Sequence, residues 1–167
     1  MARQGRKDPQ PKFPASVERA RAAKYPLHFV LRASGGPGSI DTREMHDQVM
    51  RDLGSVWIGK WGASVGEWPI EIATEQIASG TPTFLYLRTS PRQTYKANLV
   101  GLARAGLAPD VERVPEYYRD ERCGLWFLLD RWLDLDDDEL DQLRNYVDPR
   151  ARPVYARQGG IFFVTLR

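Results

Sequence analysis

YPLHFVLRASGGPGSIDTREMHDQVMRDLG, residues 25–54, sets the frame for everything that follows it. The apolar run 25–34 is short enough for a buried strand. SGGPGS (34–39) breaks it with glycine and proline and reads as a loop. Asp41 with Glu44 three residues on is a capping box, so a helix starts there. Met45, Val49 and Leu53 fall on one helical face, and Gly54 ends the helix. Beyond it, SVWIG (55–59) is a short strand, and a Gly- and Trp-rich loop runs to Trp68. Pro69 suits a first helical position, with Ile70, Ala73 and Ile77 on one face before Gly80. TFLYLR (83–88) and TYKANLVGLAR (94–104), joined by TSPRQ, form a hairpin. A polar loop (108–122) leads into the strand GLWFLLDRWL (124–133). Asp136 with Glu139 opens a last helix carrying Leu140, Leu143 and Val147, and GIFFVTL (160–166) is a closing buried strand. The order β–α–β–α–β–β–β–α–β predicts an α/β chain of the α+β kind. Its architecture is a curled sheet or partly closed barrel with peripheral helices, not a doubly wound sheet.

With 167 residues and 42% apolar content, the chain suits one domain with a substantial core. That domain is placed at 25–167, with no repeat or dividing linker. No run of 18 apolar residues predicts a membrane span, and no apolar stretch follows the basic N-terminus as a signal peptide requires. The single cysteine, Cys123, excludes an intramolecular disulfide and fits a reducing cytoplasm. Two histidines, His28 and His46, with that cysteine cannot make a His/Cys zinc site, so neither metal nor cofactor is expected. The net charge of +2 is unevenly spread: residues 1–25 hold seven basic side chains against Asp8 and Glu18, leaving 17 basic against 20 acidic elsewhere. Residues 1–24 therefore read as a flexible basic arm suited to loose phosphate contact, with at most a helical turn over 16–23. A solubilising leader is the alternative.

Catalytic signatures are missing from the sequence. There is no GxxxxGK[ST] phosphate loop and no GxSxG elbow, and Cys123 has no histidine nearby in sequence. The acids Asp134, Asp136, Asp137, Asp138 and Glu139 could hold a magnesium ion in a nuclease, but acids also crowd a helix N-terminus because its dipole favours them. His46 on an amphipathic helix and His28 in a strand read as structural. A non-catalytic protein is expected.

Trp57, Trp61 and Trp68 lie within twelve residues otherwise rich in Gly and Ser. Trp61, between Lys60 and Gly62, does not belong to a periodic apolar stretch. Indole faces stack on bases, and Tyr117 or Tyr118 could supply another wall of a cage. Ordinary core packing is the competing reading for Trp57 and Trp68.

YPLHFVLRASGGPGSID (25–41) resembles the opening of EVE and YTH-like domains of the PUA-like superfamily. SVWIGKWGAS (55–64), IASGTPTFLYLRTSPRQTYKANLVGLARAG (77–106), APD (108–110), EYYRDE (116–121) and GLWFLLDRWL (124–133) are similar to the segments that follow, in the same order. The resemblance implies a non-catalytic reader that holds a modified, most simply methylated, base of DNA or RNA in an aromatic cage. It places Trp57 as the pocket tryptophan, the Ile58 carbonyl at the base edge, Ser34 at the pocket mouth, and Tyr117 or Tyr118 as a further wall. Trp132 matches a core position. Trp61 and Trp68 complete the expected cage, and Lys60, Arg88, Arg92 and Lys96 are the expected phosphate contacts. A partner protein would supply any effector activity. The chain departs from the family in lacking an Arg-Asn run near Trp61–Trp68 and an Asn in 35–38. The alternatives are a binder of unmodified RNA or transfer RNA on the same fold, a small nuclease using the 134–139 acids, and a protein-interaction module with exposed tryptophans.

Overall fold

Residues 12–33, 41–62, 65–154 and 160–167 are described by the computed structural model, Tyr118 by its main chain only. In chain order the elements are α1 (Ala15–Ala22), β1 (His28–Arg32), α2 (Thr42–Leu53), β2 (Val56–Lys60), α3 (Glu67–Ala78), β3 (Phe84–Ser90) and β4 (Gln93–Gly106). Two single 3₁₀ turns, Val111–Arg113 and Glu116–Tyr118, precede β5 (Cys123–Leu133), α4 (Asp137–Gln142), β6 (Leu143–Asn145) and β7 (Ile161–Leu166).

The described strands make one open, mixed seven-stranded sheet in the order β2-β5-β4-β3-β1-β7-β6. Only β1 and β3 run parallel; the other neighbours are antiparallel. The sheet is strongly curled. β1 and β5 are three places apart, which on a flat sheet would separate them by about 14 Å. Yet the rings of Phe29 on β1 and Phe127 on β5 lie 5.2 Å apart, edge to face. Inside the curl, Phe29, Leu31, Val56, Ile58, Leu85, Leu87, Leu125 and Phe127 form the main core with α3 residues Ile70, Ile72 and Ala73. The expected curled α+β sheet with peripheral helices is the observed one.

Local chemistry explains the element ends. The Asp41 carboxylate accepts from the main-chain N–H groups of Arg43 (2.9 Å) and Glu44 (3.1 Å), capping α2. Gly54, at φ 77°, takes the left-handed turn that ends it, a conformation that costs a residue with Cβ. The buried centre of α2 is His46 and Met50, not the Met45–Val49–Leu53 face read from sequence, and Leu53 is exposed. His46 can occupy that centre because its Nδ1–H donates to the Thr42 carbonyl at 2.5 Å. Burial, the larger effect, pulls its pKa down to about 4 against the opposing pull of that carbonyl, so the ring is neutral at pH 7.

Two further readings of the sequence are corrected. Residues 12–24 are not a free arm: Phe13, Val17 and Ala20 are buried in the main core. Lys12–Glu71 (3.0 Å) and Arg21–Glu75 (2.8 Å) tie this segment to α3. The part of the expected arm at residues 1–11 lies outside the described residues. The last helix stops at Gln142, and Leu143 begins β6, whose Leu143 and Asn145 pair with Leu166 and Val164 of β7. Leu143 is thus buried as a strand residue, while Val147 is exposed.

Candidate nucleic-acid interface

Curling brings together the C-terminal ends of β1 and β2, which are four places apart in the sheet. Between them lies a half-enclosed cavity of about 290 Å³. That is the liquid volume of roughly ten waters. Leu31, Arg32 and Ala33 border it from β1, and Ile58, Gly59, Lys60 and Trp61 from β2 and its exit. Thr42 at the start of α2, Tyr117 in the second 3₁₀ turn and Gly160 before β7 complete the wall.

Alternation along β2 decides which aromatic side chain serves the cavity. Val56 and Ile58 point into the main core, so Trp57 points to the other face. There Trp57 is only 7% exposed and packs with Trp126, Cys123, Val114 and Ala108. It does not border the cavity, contrary to its expected role as the pocket tryptophan. Trp68 is elsewhere too, stacked on Tyr146 (5.9 Å) and edge-on to Phe163 (5.0 Å). Trp61 does border the cavity and is 40% exposed, because β2 has ended and no sheet face remains to cover it. A second aromatic residue, Tyr117, borders the cavity and also packs against the Trp57 cluster. A hydrogen bond joins its phenol to the Thr42 side chain. Burial, the largest influence, raises the Tyr117 pKa despite that bond, so the phenol stays neutral.

Gly59 is required where it stands. A Cβ there would lie 2.4 Å from Cys123 Sγ and 2.8 Å from the Trp126 ring. That close approach lets β2 lie against β5 beneath the cavity. The Trp126 indole in turn donates to the Gly106 carbonyl at 2.9 Å. Cys123 is buried, and burial with the nearby Glu121 carboxylate pushes its thiol up to about 11 against the pull of Lys60. Raised that far, it is a thiol at neutral pH.

The expected phosphate contacts divide. Lys60 borders the cavity, its ammonium donating to the Trp61 carbonyl at 3.2 Å. Arg88 and Arg92 lie on the β3–β4 hairpin. Lys96 is committed elsewhere: its ammonium is 2.6 Å from Glu139 Oε1, which also accepts from the Tyr86 phenol at 2.6 Å. Glu139 is therefore held as a structural ion-pair partner, while Asp137 and Asp138 share the first turn of α4 with it. Among the described residues no group of three His, Cys, Asp or Glu could hold a metal ion. Among them, too, no helix is long and apolar enough to cross a membrane. Trp132 packs against the main core beside Tyr95, at 6.1 Å, with the Arg43 guanidinium over both rings. Ser34 lies outside the described residues, as does the Tyr118 side chain. Sequence reasoning did not pick out Leu31, Thr42 or Gly160. The helix cap at Asp41 was the one signal that could have placed Thr42 at a loop-facing helix end.

An open, curled, mixed sheet with peripheral helices and an aromatic-walled cavity at its strand ends defines a small α+β binding fold. The family model described as Pua-like matches residues 29–162, and the chain belongs to that family, whose domains typically bind RNA or other nucleic acids. No curated protein and no solved structure matches it.

Proposed function

We propose that this Pua-like domain is a non-catalytic, EVE/YTH-like reader that takes one base of a nucleic acid, preferentially a methylated one, into the cavity between Trp61 and Tyr117. The carrying observation is that exposed Trp61 and half-buried Tyr117 both line one half-enclosed cavity of about 290 Å³. The lining from Leu31, Ala33 and Ile58 is apolar, which suits a ring face and an added methyl. β2 is an edge strand among the described strands, and Ile58 on it borders the cavity. An edge strand is where N–H and C=O groups can meet the hydrogen-bonding edge of a base. A base leaving its stack costs a few kcal/mol, which stacking on Trp61 and edge bonds offset. Each added methyl contributes about 0.8 kcal/mol by burial, a preference of roughly fourfold. Lys60 at the mouth meets the adjoining phosphate. In this reading any effector activity belongs to a partner protein.

The test is fluorescence anisotropy with short labelled DNA and RNA strands, each carrying one modified base or its unmodified counterpart. Wild type is expected to bind at least one modified strand more tightly than its counterpart. Trp61→Ala is expected to weaken that binding by about 1–3 kcal/mol, the worth of one base–aromatic stack, with an unchanged melting midpoint. Equal affinity for every modified and unmodified pair would leave the unmodified-RNA reading in its place.

A further inference from the structure

A second cleft opens on the outer face of the sheet. Pairing of β1 with β3 puts Val30 beside Tyr86 and Arg32 beside Arg88. Since Phe29, Leu31, Leu85 and Leu87 face the main core, Val30, Arg32, Tyr86 and Arg88 face outward. α4 with Leu135 ahead of it, the segment after β6 and the β3–β4 hairpin border the cleft on this outer face. The cleft between has a volume of about 440 Å³. Its floor is apolar, with half-buried Leu135 and Leu140 over buried Val30. Three arginines line the cleft, Arg88 and Arg92 from the hairpin and Arg152 from the segment after β6. The Arg88 guanidinium donates to the Pro91 carbonyl at 3.3 Å, which sets its side chain along the hairpin. Two carboxylates, Asp137 and Asp141, also line the cleft. Asp141 pairs with Arg152 at 3.6 Å between side chains that are 77% and 66% exposed, a contact that water largely screens.

The cleft adjoins the base cavity. Arg32 borders the cavity and its register partner Arg88 lines the cleft, one strand spacing or about 4.8 Å apart along the sheet. A polyanion leaving the cavity mouth past Arg32 therefore meets Arg88 next. Guanidinium forks match phosphate oxygens in pairs, and a solvent-facing apolar floor suits a sugar or unstacked base.

We propose that this cleft is the path of the nucleic-acid strand, holding the nucleotides that flank the one whose base enters the cavity, with Arg88, Arg92 and Arg152 on their phosphates. The proposal rests on the base-reading function above and specifies which face of the sheet the strand crosses. It assigns Lys96 no part, since that side chain is held by Glu139.

The experiment compares a modified mononucleotide, which fills the cavity alone, with a single-stranded pentanucleotide carrying the same base at its centre. Affinities are measured over a range of salt concentrations for wild type, the double variant Arg88→Gln/Arg92→Gln, Arg152→Gln and Trp61→Ala, after each shows the wild-type melting midpoint. On a single strand each lost phosphate contact lowers the slope of log K against log salt by about 0.7. The double variant is expected to lose about 1.4 from the pentanucleotide slope and Arg152→Gln about 0.7, with mononucleotide binding unchanged in both. Trp61→Ala is expected to weaken both ligands and keep the slope. An unaltered slope in the arginine variants overturns the path while leaving the base reading intact. Displacement of the pentanucleotide by inorganic phosphate beyond the effect of ionic strength also overturns it, marking a free-phosphate site instead. If wild type binds neither ligand, the path and the base reading fall together.

Discussion

Replacing Phe13 with alanine tests whether the segment ahead of β1 belongs to the folded core. Phe13 is 3% exposed and shares the core with Val17 and Ala20 of α1. The Arg21 guanidinium lies 4.5 Å from its ring centroid and the Lys12 ammonium 5.2 Å, so two cations cover the ring. Truncation of a buried phenylalanine costs about 3–5 kcal/mol through lost transfer energy and the void left behind. Loss of the cation–ring contacts adds about 0.5–1 kcal/mol. In a domain of this size 1 kcal/mol shifts the melting midpoint by about 2–4 °C, so a fall of about 7–24 °C is expected. Circular dichroism during heating gives the midpoint, and urea unfolding should show a lower midpoint with the same slope. Arg19→Ala, on the exposed face of α1, is the control and should stay within about 0.5 kcal/mol of wild type. A Phe13→Ala protein that melts cooperatively within 2 °C of wild type would refute the placement of α1 in the core.

Stability should fall as pH drops from 7 to 5. His28 and His46 are buried with pKa values lowered to about 4, by burial first and, for His28, by Lys96 second. The unfolded state, with imidazoles near 6.5, therefore binds more protons between pH 6.5 and 4, and each histidine withdraws about 2 kcal/mol by pH 5. Urea unfolding at pH 7 and pH 5 checks this, and equal stabilities at the two would contradict it. Gly59→Ala should destabilise by about 1–3 kcal/mol through overlap with Cys123 and Trp126, and adding Cys123→Ala should recover part of the loss. A purely additive double variant in thermal melts would show that the overlap is not the cause. Trp126→Ala should cost about 3–5 kcal/mol in urea unfolding, since that ring is fully buried, whereas Trp61→Ala should leave stability within about 0.5 kcal/mol.

The sheet was legible in the sequence where pattern and punctuation agreed. Asp41, Glu44 and Gly54 bracket α2 because capping is local chemistry, and the strands around 25–34, 84–104 and 123–133 announce themselves by apolar runs between turn residues. Of α1 only a turn over 16–23 was legible, not its place in the core, because its buried side is only Val17 and Ala20 behind Phe13, among charges, and the cations that obscure it are the ones that cover Phe13 and pair with α3. β6 is three residues long, too short for any period to register, and exists because β7 offers it an edge. Of the residues expected in the cage, Trp61, Tyr117 and Ile58 border the cavity. Trp57, placed by the resemblance, and Trp68, placed by nearness in sequence, do not border it, since neither ground says which face of a strand or helix a ring takes. Alternation along β2 sends Trp57 away from the cavity, and the turn of α3 carries Trp68 to Tyr146. Arg152 and Arg88 come together only through the return of the chain after β6, which no local pattern encodes.

The central claim is that a base enters the cavity beside Trp61. The most direct measurement follows the five indole Nε1–H resonances of ¹⁵N-tryptophan-labelled protein, each assigned by its Trp→Phe variant, during titration with a modified oligonucleotide. Trp61 borders the cavity, whereas Trp126 is sealed under β2 with its indole bonded to Gly106, and Trp68 and Trp132 lie in other clusters. The expected result is a large, saturable upfield shift of the Trp61 resonance from ring stacking, with the Trp68, Trp126 and Trp132 resonances nearly still. A Trp61 resonance that stays in place while the oligonucleotide is bound at saturation would contradict the account.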